Sequence, residues 1–264
     1  MPLWRHSGFG TSLLAFLMGT TAAGTAYSQS AGTVGAANVD ATSQVPGGAA
    51  RTVTVGSSVS ANEQFTTGPN GTVHVTFKDR SALNVGRNSS VSVDSFNYNE
   101  TAGTGNMAVS VARGVARYVG GQISHSSGAT VKTPAASIGV RGGIVTVAQA
   151  GATTTVMLHT GGATVTTNAG QVTLYPGQQI SVTSNGPIPP PQPIDPALLR
   201  VYTQQLTSQG TQTGGAIRQP TDTDASRNQI GNARPTGQTP NFDLPGVGDD
   251  LVRDRARTIF QPYP

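Results

Sequence analysis

Residues 73–85 read Val73-His74-Val75-Thr76-Phe77-Lys78-Asp79-Arg80-Ser81-Ala82-Leu83-Asn84-Val85. Val73, Val75 and Phe77 alternate with His74 and Thr76, and Leu83 and Val85 alternate with Ala82 and Asn84. Lys78-Asp79-Arg80-Ser81 between them is a turn-forming cluster. A period of two with one apolar face is the pattern of a half-buried strand, so the stretch predicts two strands joined by a tight turn. Outward from it the pattern recurs at Val91 and Val93, Val109 and Val111, Val145 and Val147, Val156 and Leu158, Val172 and Leu174, and Ile180 and Val182. Pro69-Asn70-Gly71, Gly86-Arg87-Asn88, Gly120-Gly121, Gly161-Gly162 and Tyr175-Pro176-Gly177 are the turn signals between these segments. Strand centres fall about every 8–10 residues, the spacing of sandwiches, barrels and short-coil solenoids. The expected fold is mainly β: a single compact all-β domain of many short strands over 51–186, solenoid-like or a roll or sandwich.

Composition agrees. The 264 residues include 34 glycines, no cysteine and 11% charged residues. Helical bundles and coiled coils need more Glu, Lys and Leu, and collagen needs glycine at every third position. Disulfide scaffolds and thiolate zinc sites need cysteine. Thr and Ser between the apolar positions suit a solvated sheet face. Residues 51–186 hold eight cationic side chains and four carboxylates, so the formal net charge of +4 belongs to this region.

The ends read differently. Arg5, the apolar run Leu13–Met18 and the small-x-small Ala26-Tyr27-Ser28 predict a cleaved signal peptide at 1–28. Localisation is then periplasmic or secreted, and no later stretch is apolar enough for a membrane span. Residues 29–50, rich in Ala, Gly, Thr and Ser, are expected to be a flexible lead-in. From 187 the chain reads as a Pro-rich linker, a short helix at about 195–207 capped by Asp195 with Pro196 at its first position, and a disordered tail. A second weak helix is expected near 248–259.

Asn62-Glu63-Gln64-Phe65-Thr66-Thr67-Gly68 followed by residues 73–85 resembles the opening of the FecR domain, a family of bacterial periplasmic regulatory domains. Lys132-Thr133-Pro134-Ala135-Ala136-Ser137-Ile138-Gly139-Val140-Arg141-Gly142-Gly143-Ile144-Val145-Thr146-Val147 looks like that family's core motif. Val156–Val165 and Leu174–Val182, with Gly177-Gln178, are similar to its closing strands. The resemblance covers about residues 51–184. It implies a non-enzymatic regulatory module with Thr133, Pro134, Val140, Arg141, Gly142, Gly177 and Gln178 as the motif positions, read as structural. Arg141 is expected to tie backbone carbonyls of neighbouring turns with its five donors, the alternative being a carboxylate of a partner. Arg80 stands where the family has glycine, which predicts a type I turn without positive φ. The family's signal relays have a cytoplasmic segment and a membrane span, whereas this chain opens on a signal-like segment.

No catalytic pattern stands out. His74 and His159 lie in strand patterns and His125 outside them; no G-x-S-x-G elbow, metal motif or P-loop occurs. Gly103-Thr104-Gly105-Asn106-Met107-Ala108 meets a loose G-x-G-x-x-A pattern without the strand and helix that a nucleotide site needs. A glycan hydrolase would need paired carboxylates, and the region offers Glu63, Asp79, Asp94 and Glu100 alone. The expected protein is not an enzyme and holds no cofactor or metal. Its expected role is to bind a protein partner in envelope signalling or assembly. The alternative is a surface or matrix protein that binds cell-wall or extracellular polysaccharide. Spread arginines without interleaved aromatics argue against nucleic acid and admit an anionic glycan.

Overall fold

A computed structural model describes residues 1–2, 30–38, 40–208 and 212–214. The strands are β1 (Ser30–Asn38), β2 (Ala41–Gln44), β3 (Arg51–Thr52), β4 (Ser58–Ser60), β5 (Glu63–Thr67), β6 (Val73–Phe77), β7 (Ala82–Val85), β8 (Ser90–Asn99), β9 (Thr104–Val119), β10 (Ala129–Lys132), β11 (Ser137–Ala150), β12 (Thr153–Thr167), β13 (Gly170–Leu174), β14 (Gln178–Thr183), β15 (Gln192–Pro193) and β16 (Gln212–Gly214). Two helices, α1 (Gln122–Ser126) and α2 (Pro196–Leu206), complete the described chain. The mainly β fold expected from the alternation is the fold observed.

All the strands belong to one hydrogen-bonded network, folded into two layers over one core. Layer I runs β13, the end of β12, the start of β11, β10, the start of β9, β8, β5, β2 and β3. Layer II runs β15, β14, the start of β12, the end of β11, the end of β9, β7, β6 and β1, whose far edge takes β4 and β16. Three long strands therefore serve both layers. Each crosses over at glycine in the left-handed region: Gly114 (φ 87°) in β9, Gly142 and Gly143 (φ 59° and 81°) in β11, Gly161 (φ 83°) in β12. The β11–β12 register slips at the same place, between Arg141 and Gly143. A bulge with glycine at positive φ bends a strand without breaking the ladder. Gly161-Gly162, read from sequence as a turn, is thus a bend inside a continuous strand.

The alternating residues fill the space between the layers. Phe65, Val75, Leu83, Val93, Val111, Val145, Leu158, Val165 and Leu174 are all nearly inaccessible to solvent. Phe77 stacks on Phe96, with ring centroids 5.5 Å apart, and Ile123 of α1 joins the same core. On the outer side of layer II, Leu206 and Tyr202 of α2 pack on Val115 and Ala148. The helix sits where the Asp195-Pro196 signal predicts it, and the Asp195 carboxylate accepts from the Ala197 N–H at 2.8 Å.

One expectation fails. The supposed flexible lead-in supplies β1 and β2, and Ala31, Val34, Ala36, Ala37 and Ala41 are core residues or nearly so. β1 breaks its own alternation with a register shift between Val34 and Ala36, so no period of two survives in its sequence. Its small residues have a steric reason. A Cβ on Gly32 would stand 2.4 Å from the Thr76 carbonyl oxygen. Residues 3–28 of the expected signal peptide, and the tail beyond residue 208 apart from β16, lie outside the described residues, as does the second helix expected near 248–259. No described helix is long and apolar enough to cross a membrane.

Candidate functional site

The β6–β7 turn builds a closed polar hub. Arg80 has φ 67°, which corrects the expectation of a turn without positive φ. Its N–H donates to the Phe77 carbonyl at 3.0 Å and the Phe77 N–H to the Ser81 carbonyl at 2.9 Å. This is a three-residue hairpin connection, a type I turn followed by one left-handed residue, where glycine fits without strain. Asp79 holds the turn in place. Its fully buried carboxylate accepts from the Ser81 N–H (3.1 Å), the Ser81 hydroxyl (2.5 Å) and the Ile123 N–H at the start of α1 (3.3 Å). Its backbone carbonyl accepts from the Gln122 N–H at 2.8 Å. Burial, and then the Asp79 charge, push the Tyr118 phenol well above its ordinary value of 10. The hub is inaccessible to a ligand and joins hairpin to helix.

Glu63 and Asp94 are engaged as well. Glu63, 1% exposed, pairs with Arg51 at 2.8 Å and accepts from the Ser60 N–H at 2.9 Å. Asp94 accepts from the hydroxyls of Ser92 (2.7 Å) and Ser110 (2.6 Å), with Lys132 at 3.7 Å. Glu100 is exposed in the β8–β9 turn. His74 bonds Asn84 at 3.1 Å, and burial holds its imidazole below its usual pKa. His159 bonds the buried Thr146 hydroxyl at 2.9 Å, and His125 donates from Nδ1 to the Gly121 carbonyl at 2.7 Å. Among the described residues no three His, Asp or Glu side chains are grouped to hold a metal ion.

The motif positions divide into two kinds. Thr133 closes the β10–β11 turn: its N–H and hydroxyl donate to the Ala136 carbonyl, and its hydroxyl accepts from the Ala136 N–H. Pro134 is exposed in that turn, and Val140 is core. Gly142 makes the bend against His125, whose ring lies 3.1 Å from where a Cβ would stand. Gly177 (φ 83°) donates to the Leu158 carbonyl and accepts from the Ile194 N–H. The Gln178 side-chain carbonyl accepts from the Tyr175 N–H at 2.9 Å. Arg141 is the exception. Its side chain is exposed on the outward side of β11 and makes no hydrogen bond or ion pair among the described residues, so the carbonyl-tying role expected for it is not found.

Around Arg141 the outward face of layer I is bare. Arg141 pairs across to Gly162, and Gly139 pairs with Thr164 on one side and Thr130 on the other. Thr164 in turn pairs with Thr173. Beyond Leu174, which turns inward, Tyr175 is 66% exposed. An added Cβ would meet nothing within 4 Å at Gly162, and at Gly139 only the Thr164 carbonyl at 3.9 Å. Arginine, hydroxyls and one aromatic ring thus surround exposed backbone. Sequence reasoning missed this arrangement, although two glycines that leave their strand patterns unbroken on either side of Arg141 were its signal.

The comparisons fall on this same region. The model of the FecR protein family matches residues 63–164, from β5 into the last part of β12. Residues 63–164 are a FecR domain. No curated protein matches the chain. Two crystal structures of a protein from Parabacteroides distasonis, provisionally described as an anti-sigma factor, are similar at 18% and 17% identity, with TM-scores of 0.43 and 0.40. Each alignment covers 53% of this chain and 64% of the other, so the chain spans under two thirds of their length. The FecR domain does not account for the whole architecture. β1 and β2 before it, and β13 to β15 after it, complete both layers.

Proposed function

We propose that this protein is an exported, non-enzymatic regulatory module whose FecR domain binds a protein partner in envelope signalling or assembly. The observation that carries the reading is the FecR match over 63–164. The polar clusters of the fold agree with it. Asp79, Glu63 and Asp94 hold strands and turns together. The signal-like segment at 1–28 supports export.

The test is a tagged full-length chain expressed in a bacterial host, crosslinked in intact cells and purified from the envelope fraction. A protein retained at constant stoichiometry by the wild-type chain, and lost from a chain with 63–164 deleted, is the expected result. Recovery of the chain from cytoplasm alone, or as a monomer without crosslinked protein, would overturn it.

A further inference from the structure

Gly139 and Gly162 stand in strands, where glycine costs roughly 0.5–1 kcal/mol relative to alanine. Most strand glycines in this fold have positive φ (Gly114, Gly142, Gly143 and Gly161) or lie against backbone (Gly32 and Gly105), and Gly35 falls at the β1–β6 register shift. Gly139 and Gly162 have neither. Their backbone accommodates any residue, and the space over them is open. A strand glycine without a conformational cause marks a place where something else approaches the backbone closely.

We propose that the recess over Gly139 and Gly162 is a binding site for an acidic polysaccharide, with one uronate unit seated against Arg141. Adjacent strands are about 4.8 Å apart, so Arg141 and Gly162 on paired strands, with Tyr175 in the turn just after β13, span about 10 Å with bare backbone in the middle. That opening admits one pyranose ring. Arg141, whose side chain has no partner among the described residues, offers a fork matched to a carboxylate. Thr130, Thr164 and Thr173 line the next row with hydroxyls for sugar hydroxyls. Tyr175 offers an exposed ring for the apolar face of a sugar. Lys132 lies beyond Thr130 on β10, and its neighbour Asp94 is already bonded to two serines, so the recess is net positive. A protein interface has an apolar core; here the glycines and threonines leave Tyr175 as the one large apolar group. This site goes beyond the partner-binding reading and does not depend on it.

The experiment measures retention of the full-length chain on immobilised polygalacturonate, with dextran and poly-glutamate as neutral and acidic-peptide controls. Binding to polygalacturonate that weakens with salt, with neither control retained, is expected. Arg141→Gln should weaken it at least tenfold. Gly162→Val should abolish it by filling the recess while leaving the thermal midpoint unchanged or raised. Arg200→Gln, on α2, should change nothing. Equal retention on poly-glutamate would mean charge alone, or a peptide site, and would overturn the proposal. So would no retention, or wild-type binding by Gly162→Val. Crosslinking to an envelope protein by the Gly162→Val chain separates the two readings, since it tests the partner and not the sugar.

Discussion

Arg80 shows how one residue can oppose its local conformation and still be held. A non-glycine residue in the left-handed region costs roughly 1–2 kcal/mol. Asp79 beside it offsets this with three accepted hydrogen bonds and a helix attached. Arg80→Gly should therefore stabilise the protein by about 1 kcal/mol, read as a higher denaturant midpoint with unchanged slope. Tyr118 carries a different consequence. Its folded-state pKa lies above the unfolded value of 10. Above pH 10 the unfolded chain loses the phenolic proton while the folded chain keeps it, so the unfolded state binds fewer protons and stability falls as pH rises. The wild-type thermal midpoint should drop above pH 10, and Tyr118→Phe should remove that part of the slope. A midpoint that falls equally in both proteins would contradict the assignment.

At the scale of elements, the crossing strands decide the architecture. β9, β11 and β12 each hydrogen-bond in layer I along one half and in layer II along the other. Their bends are the positions least able to carry a side chain. At Gly143 a Cβ would stand 2.0 Å from the Thr160 carbonyl oxygen, on a backbone with φ 81°. Gly143→Val combines an unfavourable conformation with backbone overlap, and should cost about 3 kcal/mol or more. The measurement is equilibrium unfolding with Gly162→Val as the control. The control is one residue from the Gly161 bend but lacks both penalties, so a similar loss in the two proteins would refute this account of the bends.

For the whole molecule, the family match and the folding unit are different lengths of chain. Residues 63–164 contain β5 to β11 and most of β12, yet β1 pairs with β6, β2 with β5, and β13 and β14 with β12. Without them Phe65, Val75 and Leu158 lose cover, and both layers gain unpaired edges that invite association. A fragment of residues 63–164 should aggregate or unfold without cooperativity. Residues 30–208 should unfold in one transition, as followed by far-UV circular dichroism against denaturant. A sharp transition in the short fragment would show that the flanking strands are accessory.

The sequence by itself determined the strands whose two faces differ. Val73, Val75, Phe77, Val91 and Val93 alternate with more exposed polar residues because one face meets the core and the other meets water, and that difference is written residue by residue. It also determined α2, where Asp195 and Pro196 cap the helix through contacts a few residues apart. The tertiary structure decided the rest, because there the cause lies far away in the chain. β1 is a strand because the β6 backbone leaves room only for small residues, not because its own pattern alternates. Gly161 bends a strand where it could equally have ended one, since its partner is Gly143 in the neighbouring strand. Arg141 looked like a buried tie among glycines. It faces outward because Val140 and Ile138 turn into the core on alternate positions, and the glycines around it hold open a surface that only the packed sheet creates.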